Sequence, residues 1–161
     1  MKNIYYYIKE SLLDDEDDVF DGAKEGVIKD FLETNYKINS SYNIKEKGNE
    51  FIVDVRGSVK VMNKNITTLT EGLFKFGEVG GSFDCIGCKS LKSLKGAPKE
   101  TVVFDCSNCK SLTSLEGAPK CTFIAAYNCG KSYGKSDIIK YTEATYKMTN
   151  SGSQAKLNWI R

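Results

Sequence analysis

Phe83 to Lys99 reads FDCIGCKSLKSLKGAPK and Phe104 to Lys120 reads FDCSNCKSLTSLEGAPK; 13 of the 17 positions are identical, and each matched residue lies 21 places from its counterpart. A period near 21 is too short for a pair of helices and fits one coil of a solenoid whose neighbours stack to bury a shared core. Both units place apolar or thiol side chains at relative positions 1, 3, 6, 9 and 12: Phe83, Cys85, Cys88, Leu91 and Leu94, then Phe104, Cys106, Cys109, Leu112 and Leu115. Spacing of two marks a short strand, and spacing of three marks an arc that turns without regular helix. Gly-Ala-Pro then bends the chain back, because Gly reaches backbone angles closed to other residues and Pro98 and Pro119 lack an N–H for any ladder.

Outward from this core the pattern weakens. Upstream, Val59 and Val61 alternate, and Ile66, Leu69 and Gly72 echo Leu91, Leu94 and Gly96, which predicts a degenerate first coil with a longer turn over Leu73 to Gly81. Downstream, Thr122, Phe123, Ile124 and Tyr127 keep the phase of the repeat while Cys129 stands one place early, and after Lys131 the repeat is gone. Tyr42 to Ile44 and Phe51 to Val55 alternate around Lys47-Gly48-Asn49, a β-hairpin. Two helical stripes come first: Ile4, Ile8 and Leu12 with Tyr5 alongside, then Phe20, Ala23, Val27, Ile28, Phe31 and Leu32, closing at Asn35 or Tyr36. The acidic run Asp14 to Asp18 separates them; it lacks the order of an EF-hand loop and reads as a helix-terminating segment. Ser136 to Met148 has helical potential, and Leu157, Trp159 and Ile160 predict a terminal strand. Three segments result: residues 1–57 as a helical and hairpin cap, 58–132 as the solenoid, and 133–161 as a C-terminal cap covering the exposed coil end.

The unit CxxCKSLxSLxGAPK resembles the irregular, cysteine-containing leucine-rich repeats of bacteria and viruses, and more narrowly the arrays of 21-residue units encoded by tailed bacteriophages. The resemblance implies an α+β fold: a short leucine-rich-repeat-like β-solenoid of about three to four coils, capped by an N-terminal helix pair and β-hairpin. Cys88 and Cys109 lie three places before Leu91 and Leu112, where the usual repeat has two, which implies a wider arc. MKNIYYYIKES at the N-terminus is similar to the leader that directs internal proteins into the heads of T-even-like phages; that resemblance implies cleavage after Glu10, against the alternative of an ordinary amphipathic helix.

The chain has no histidine, which removes Ser-His and Cys-His nucleophiles and mixed Cys/His metal sites. No run of 18 apolar residues and no secretory signal is present, so an intracellular protein is expected, its six cysteines reduced. Cys85-x-x-Cys88 and Cys106-x-x-Cys109 have the spacing of a four-thiolate zinc site. The repeat offers a simpler reading, since both pairs are the same two positions seen twice: Cys85 over Cys106 and Cys88 over Cys109, as ladders of buried thiols about 4.8 Å apart. Residues three apart on an extended strand stand roughly 10 Å from each other, so one zinc does not gather all four without a tight bend. No cofactor is expected, with zinc as the alternative.

Lys89, Lys110 and Lys131 recur every 21 places with Ser90, Ser111 and Ser132 beside them, predicting a charged ladder on one face. The ladder reads either as a solvated edge that opposes aggregation or as a strip for an acidic partner; three lysines without arginine argue against nucleic acid. Tyr5, Tyr6 and Tyr7 exceed what one helix face needs and are a second candidate contact. The expected function is non-enzymatic protein recognition through the solenoid face by a phage protein in the infected host cytoplasm. Three alternatives stand beside it: a virion internal or structural component carrying the leader, an inhibitor of a host defence protein, and a zinc-binding protein using the two CxxC pairs.

Overall fold

A computed structural model describes residues 21–151 and 154–159. The first helical stripe, Tyr5, Tyr6, Tyr7, Glu10 and the acidic run all lie outside the described residues. The second stripe forms α1 (Asp21–Asn35), and Ile28, Phe31 and Leu32 are its buried face. Asn35 ends it as predicted: its Nδ2 donates to Phe31 O (2.9 Å), its carbonyl accepts from Met62 N (2.8 Å), and its Oδ1 accepts from Asn63 Nδ2 (2.8 Å). Those bonds satisfy helix-end groups that would otherwise be orphaned and fasten the helix to the first coil.

The chain then runs β1 (Tyr36–Ile38), β2 (Tyr42–Lys47), β3 (Glu50–Val55), β4 (Val59–Val61), β5 (Lys75–Asp84), β6 (Glu100–Asp105), β7 (Lys120–Ala125), α2 (Lys135–Tyr141), β8 (Tyr146–Ser151) and β9 (Gln154–Trp159). All nine strands belong to one sheet, ordered β1-β4-β5-β6-β7-β8-β9, with the β2–β3 hairpin joined through β3 to β5. From β4 to β8 neighbours are parallel, each step winding once round the molecule, and the result is an α+β solenoid of about four turns. The ten inward positions of the two clear repeats are all buried, at 0% exposure. Their arcs are successive tight turns: Cys88 N donates to Cys85 O (3.3 Å), Leu91 N to Cys88 O (3.1 Å) and Ala97 N to Leu94 O (2.9 Å). Side chains hold the same turns open at fixed places. Asp84 Oδ1 accepts from Ile86 N (2.8 Å) and Asp105 Oδ1 from Ser107 N (2.9 Å), while Ser93 and Ser114 Oγ accept from Lys95 N (3.1 Å) and Glu116 N (3.0 Å). The recurrence of Asp84 and Asp105 thus follows from turn chemistry.

Three expectations are corrected. The stretch Leu73 to Gly81 is no turn: most of it is β5, a ten-residue strand with Phe76 and Val79 buried, preceded by buried Phe74. Its first half pairs with β3 and its second half with β4, so the hairpin extends the sheet instead of merely capping it. The third coil is one residue short: β5 and β6 register Phe83 with Phe104, but β6 and β7 register Phe104 with Ile124, so Cys129 stands in phase and Lys131 does not. Ser136 to Met148 is not one helix, because Thr142 leaves helical geometry (φ −134°, ψ 163°) and β8 begins at Tyr146.

The inward row ends differently at its two ends. At the first coil an aromatic chain runs from Phe31 through Tyr36, Phe76 and Phe83 to Phe104, with centroids 5.1 to 6.5 Å apart and edge-on contacts of Phe76 with Tyr36 and Phe83. At the last, the inward row Phe83–Phe104–Ile124 meets Lys147 on β8, whose ammonium donates to Tyr133 O. A charge at that place stops the core row from continuing into a further coil.

The junction of the hairpin with the solenoid depends on Asp54. Its Oδ1 accepts from Glu78 N (2.9 Å) across the strand pair, and Lys45 Nζ meets its Oδ2 at 2.6 Å. The Lys45 hydrogen bond, above all, holds the Asp54 carboxyl below the ordinary carboxylate range. A lowered folded-state value stabilises the fold above the unfolded value, and that contribution is lost as pH falls through the folded one. Asp54→Asn is therefore expected to lower Tm modestly at pH 7 and to leave it equal to wild type under strongly acidic conditions, where the wild-type carboxyl is protonated too; thermal melts across pH check this. An unchanged difference at both pH values would assign the effect to geometry alone.

Candidate functional site

The cysteines were the first chemical candidates. Cys85, Cys88, Cys106 and Cys109 are all fully buried and free. They do not lie along an extended strand, as the spacing argument assumed: a tight turn folds Cys88 back on Cys85. The thiols are engaged with neighbouring backbone, Cys109 Sγ reaching Cys85 O at 3.1 Å. Cys109 is pushed up to about 12 by its contact with Cys85 and by burial, and Cys121 to about 12 by burial alone. Cys88 and Cys106 are raised as well, by hydrogen bonding to a second thiol and by burial. Thiols held protonated are poor metal ligands and poor nucleophiles at neutral pH. Among the described residues no group of three or more His, Cys, Asp or Glu side chains is arranged to hold a metal ion.

The lysine ladder has two rungs. Lys89 and Lys110 are exposed at equivalent places, and Lys110 Nζ donates to Asn128 Oδ1. The third equivalent place is Gly130, set by the shortened coil; Lys131 instead pairs with Asp137 at 2.8 Å and lies over the Tyr133 ring, 5.7 Å from its centroid. Beside the lysines run Asn108 and Asn128, both in left-handed backbone (φ 62° and 55°) and joined by Asn128 Nδ2 to Asn108 Oδ1 at 2.7 Å. Asparagine tolerates that conformation because its side chain bonds locally. Much of this edge is thus spent on internal bonds.

The outward face of the sheet carries a different feature. Phe104 and Ile124 point inward, so their neighbours Val103 and Phe123 point out. Backbone register places Ser82, Val103, Phe123 and Tyr146 side by side on four adjacent strands, and the row reaches Trp159 by register on β9. The rings of Phe123 and Tyr146 stack with centroids 5.3 Å apart and planes 18° from parallel. Strict alternation breaks in β6, where Thr101 and Phe104 are buried and the two valines between them are not, and Val102 adds an apolar side chain that is 46% exposed. The next row on the same face is Lys60, Asp84 and Asp105, so an apolar stripe lies beside a polar one. Burial raises the Asp105 carboxyl, an effect Asp84 reinforces. Sequence reading missed this row by treating Phe123 as a residue of the repeat's phase; the available signal was two consecutive large apolar residues, Phe123-Ile124, in a strand where only one side can face the core.

A cleft of about 410 Å³ lies between the hairpin tip and the first arc, lined by Phe51, Thr70 and Phe74 with Glu50 and Lys75 at its mouth. Those two charges pair with one another. Among the described residues no helix is long and apolar enough to cross a membrane. Comparison with family models, curated proteins and solved structures yields no match to this chain.

Proposed function

We propose that this chain is a non-enzymatic protein-recognition module that binds a partner protein through the outward face of its sheet, at Val102, Val103, Phe123 and Tyr146. The observation that carries the reading is the row of half-buried apolar side chains Val103, Phe123 and Tyr146 beside the exposed Val102, with a stacked aromatic pair within it. Exposed apolar side chains in contiguous rows mark interaction surfaces, and aromatics dominate the energetics of such contacts. A solenoid suits the role because stacked coils present a broad, rigid surface whose side chains need little ordering on binding. The resemblance of the repeat to phage-encoded arrays supports a phage protein whose partner belongs to the host or to the virion.

A photo-reactive residue at position 102 in the full chain, irradiated in lysate of infected cells, is the direct test. Crosslinking to one protein at this position, and loss of that crosslink with Phe123→Ser, are expected. For the purified partner, Val102→Glu should weaken binding by about tenfold or more, as expected where a charge is buried in an apolar contact, with Tm close to wild type. If Lys89→Ala and Lys110→Ala abolish binding while Val102→Glu does not, the partner sits on the lysine edge and this reading fails. A capsid component as partner points to a virion role, and a host enzyme points to inhibition.

A further inference from the structure

A cysteine contact between coils two and three recurs between coils three and four, where the outer thiol is only half-buried. In the inner pair, Cys109 Sγ reaches Cys85 O at 3.1 Å and Ser107 O at 3.9 Å, and the fourth coil stacks over it. In the outer pair, Cys129 Sγ makes the equivalent contacts, to Cys106 O at 3.2 Å and Tyr127 O at 3.7 Å. Of all six cysteines only Cys129 is not buried. The repeat thus supplies an internal control: the same local geometry twice, buried once and half-buried once.

We propose that Cys129 and Cys106 form a hydroperoxide-responsive thiol pair, in which Cys129 is the attacking sulfur and Cys106 resolves the product into a disulfide between coils three and four. Cys129 Sγ lies 3.2 Å from the Cys106 carbonyl oxygen, which sets the half-buried outer sulfur against the residue that carries the buried one. Ionisation of Cys129 gives up its bond to the Cys106 carbonyl. The Cys106 thiol does most to lower Cys129, to about 7, with nearby Lys110 helping and burial and Asp105 opposing. Cys106, buried beside it, is raised and keeps its proton. Tyr133, on the chain that follows, is pushed up by burial and stays neutral.

The electron balance is that of a two-electron oxidation. The Cys129 thiolate attacks one peroxide oxygen, the O–O bond breaks, and the departing oxygen leaves as water or alcohol after taking a proton; Cys129 becomes a sulfenic acid. The Cys106 sulfur then displaces that hydroxyl, its thiol proton leaves with it as a second water, and a bond of about 2.05 Å joins the sulfurs. Two thiols are oxidised and one peroxide is reduced.

Iodoacetamide labelling of the native full chain at pH 7, read by peptide mass spectrometry, tests the first step without any variant. Cys129 is expected to react on the order of tenfold or more faster than any of the five buried cysteines, since the thiolate is the reactive form. Cys85 or Cys106 labelling first would sink the proposal. Hydrogen peroxide in sub-stoichiometric steps should then protect Cys129 and Cys106 together and yield a crosslinked peptide pair that dithiothreitol reverses. Cys106→Ala should leave a sulfenic acid at Cys129 that dimedone traps, and Cys129→Ser should abolish both labelling and crosslink. Oxidation of wild-type Cys129 with no crosslink to Cys106 would overturn the pairing.

Discussion

Phe104→Ala is expected to be the most damaging single side-chain deletion in this protein. Phe104 is 0% exposed, in register with Phe83 on one side and Ile124 on the other, and its ring stacks on Phe83 with centroids 6.1 Å apart and planes 30° from parallel. Truncating a fully buried phenylalanine costs about 3–5 kcal/mol, from the lost transfer of the ring out of water and from the cavity left behind. For a chain of this size each kcal/mol corresponds to a fall in Tm of about 2–4 °C, so a loss of about 6–20 °C is expected by calorimetry. Two features argue for the upper end. The cavity would open in the middle of a stacked row, where neither neighbouring coil can close without breaking its strand register. Stacked coils also depend on their nearest neighbours, so losing the interface on both sides of coil three uncouples the two capped ends. Val103→Ala, one residue away on the outer face, should shift Tm far less. If the two variants melt alike, Phe104 is not the centre of the core.

Gly80→Ala is the second, and it acts through backbone. Gly80 lies where β5 leaves β3 and takes up β4, between registers Val55↔Val79 and Lys60↔Asp84. A Cβ built there would stand 2.4 Å from Arg56 O and 3.2 Å from Arg56 C. These are main-chain atoms, so no side-chain rotation relieves the clash. The strand must shift, at a cost of about 1–3 kcal/mol or more, and the shift falls on the hydrogen bond from Gly81 N to Gly57 O (3.0 Å) that ties the two halves of the sheet. Gly26→Ala serves as the comparison. It sits in α1 with nothing within 4 Å of the added carbon, and alanine there should raise stability by about 0.5–1 kcal/mol through helix propensity. Chemical denaturation of both variants is expected to give shifts of opposite sign. A Gly80→Ala protein as stable as wild type would mean that the branch in the sheet is looser than its registers imply.

These two positions mark where sequence reading works here and where it stops. The row through Phe104 is legible because two nearly identical units put the same residue types at the same places, and a side chain kept large or small in both copies reports a shared core. The branch at Gly80 is illegible for the opposite reason. Gly77, Gly80 and Gly81 carry no side chain to show a period, and glycine-rich sequence reads as turn; only contact with β3 and β4 makes it strand. Phe74, Phe76 and Val79 did carry a signal, weakened by spacing that fits neither a regular strand nor the repeat. Lys131 misled for a third reason. Its distance of 21 from Lys110 matches the period, but the chain drops a residue between Lys120 and Cys121, so identity in spacing is not identity in space. The same slip hides the outward row, because Phe123 and Ile124 both fall in the expected phase while only Ile124 faces the core. Cys129 shows the reverse error: an apparent irregularity that register restores to its column.

Register also bears on how the molecule can change length. Coils two and three share one hydrogen-bonding pattern, and both caps are attached to flanking coils that differ from them, α1 and the hairpin at one end and Lys147 on β8 at the other. Recombination between the two near-identical segments would add or remove a whole coil while presenting each cap with the neighbour it already fits. A gain or loss of one whole coil would therefore leave both caps in place and lengthen or shorten the outward stripe by one strand.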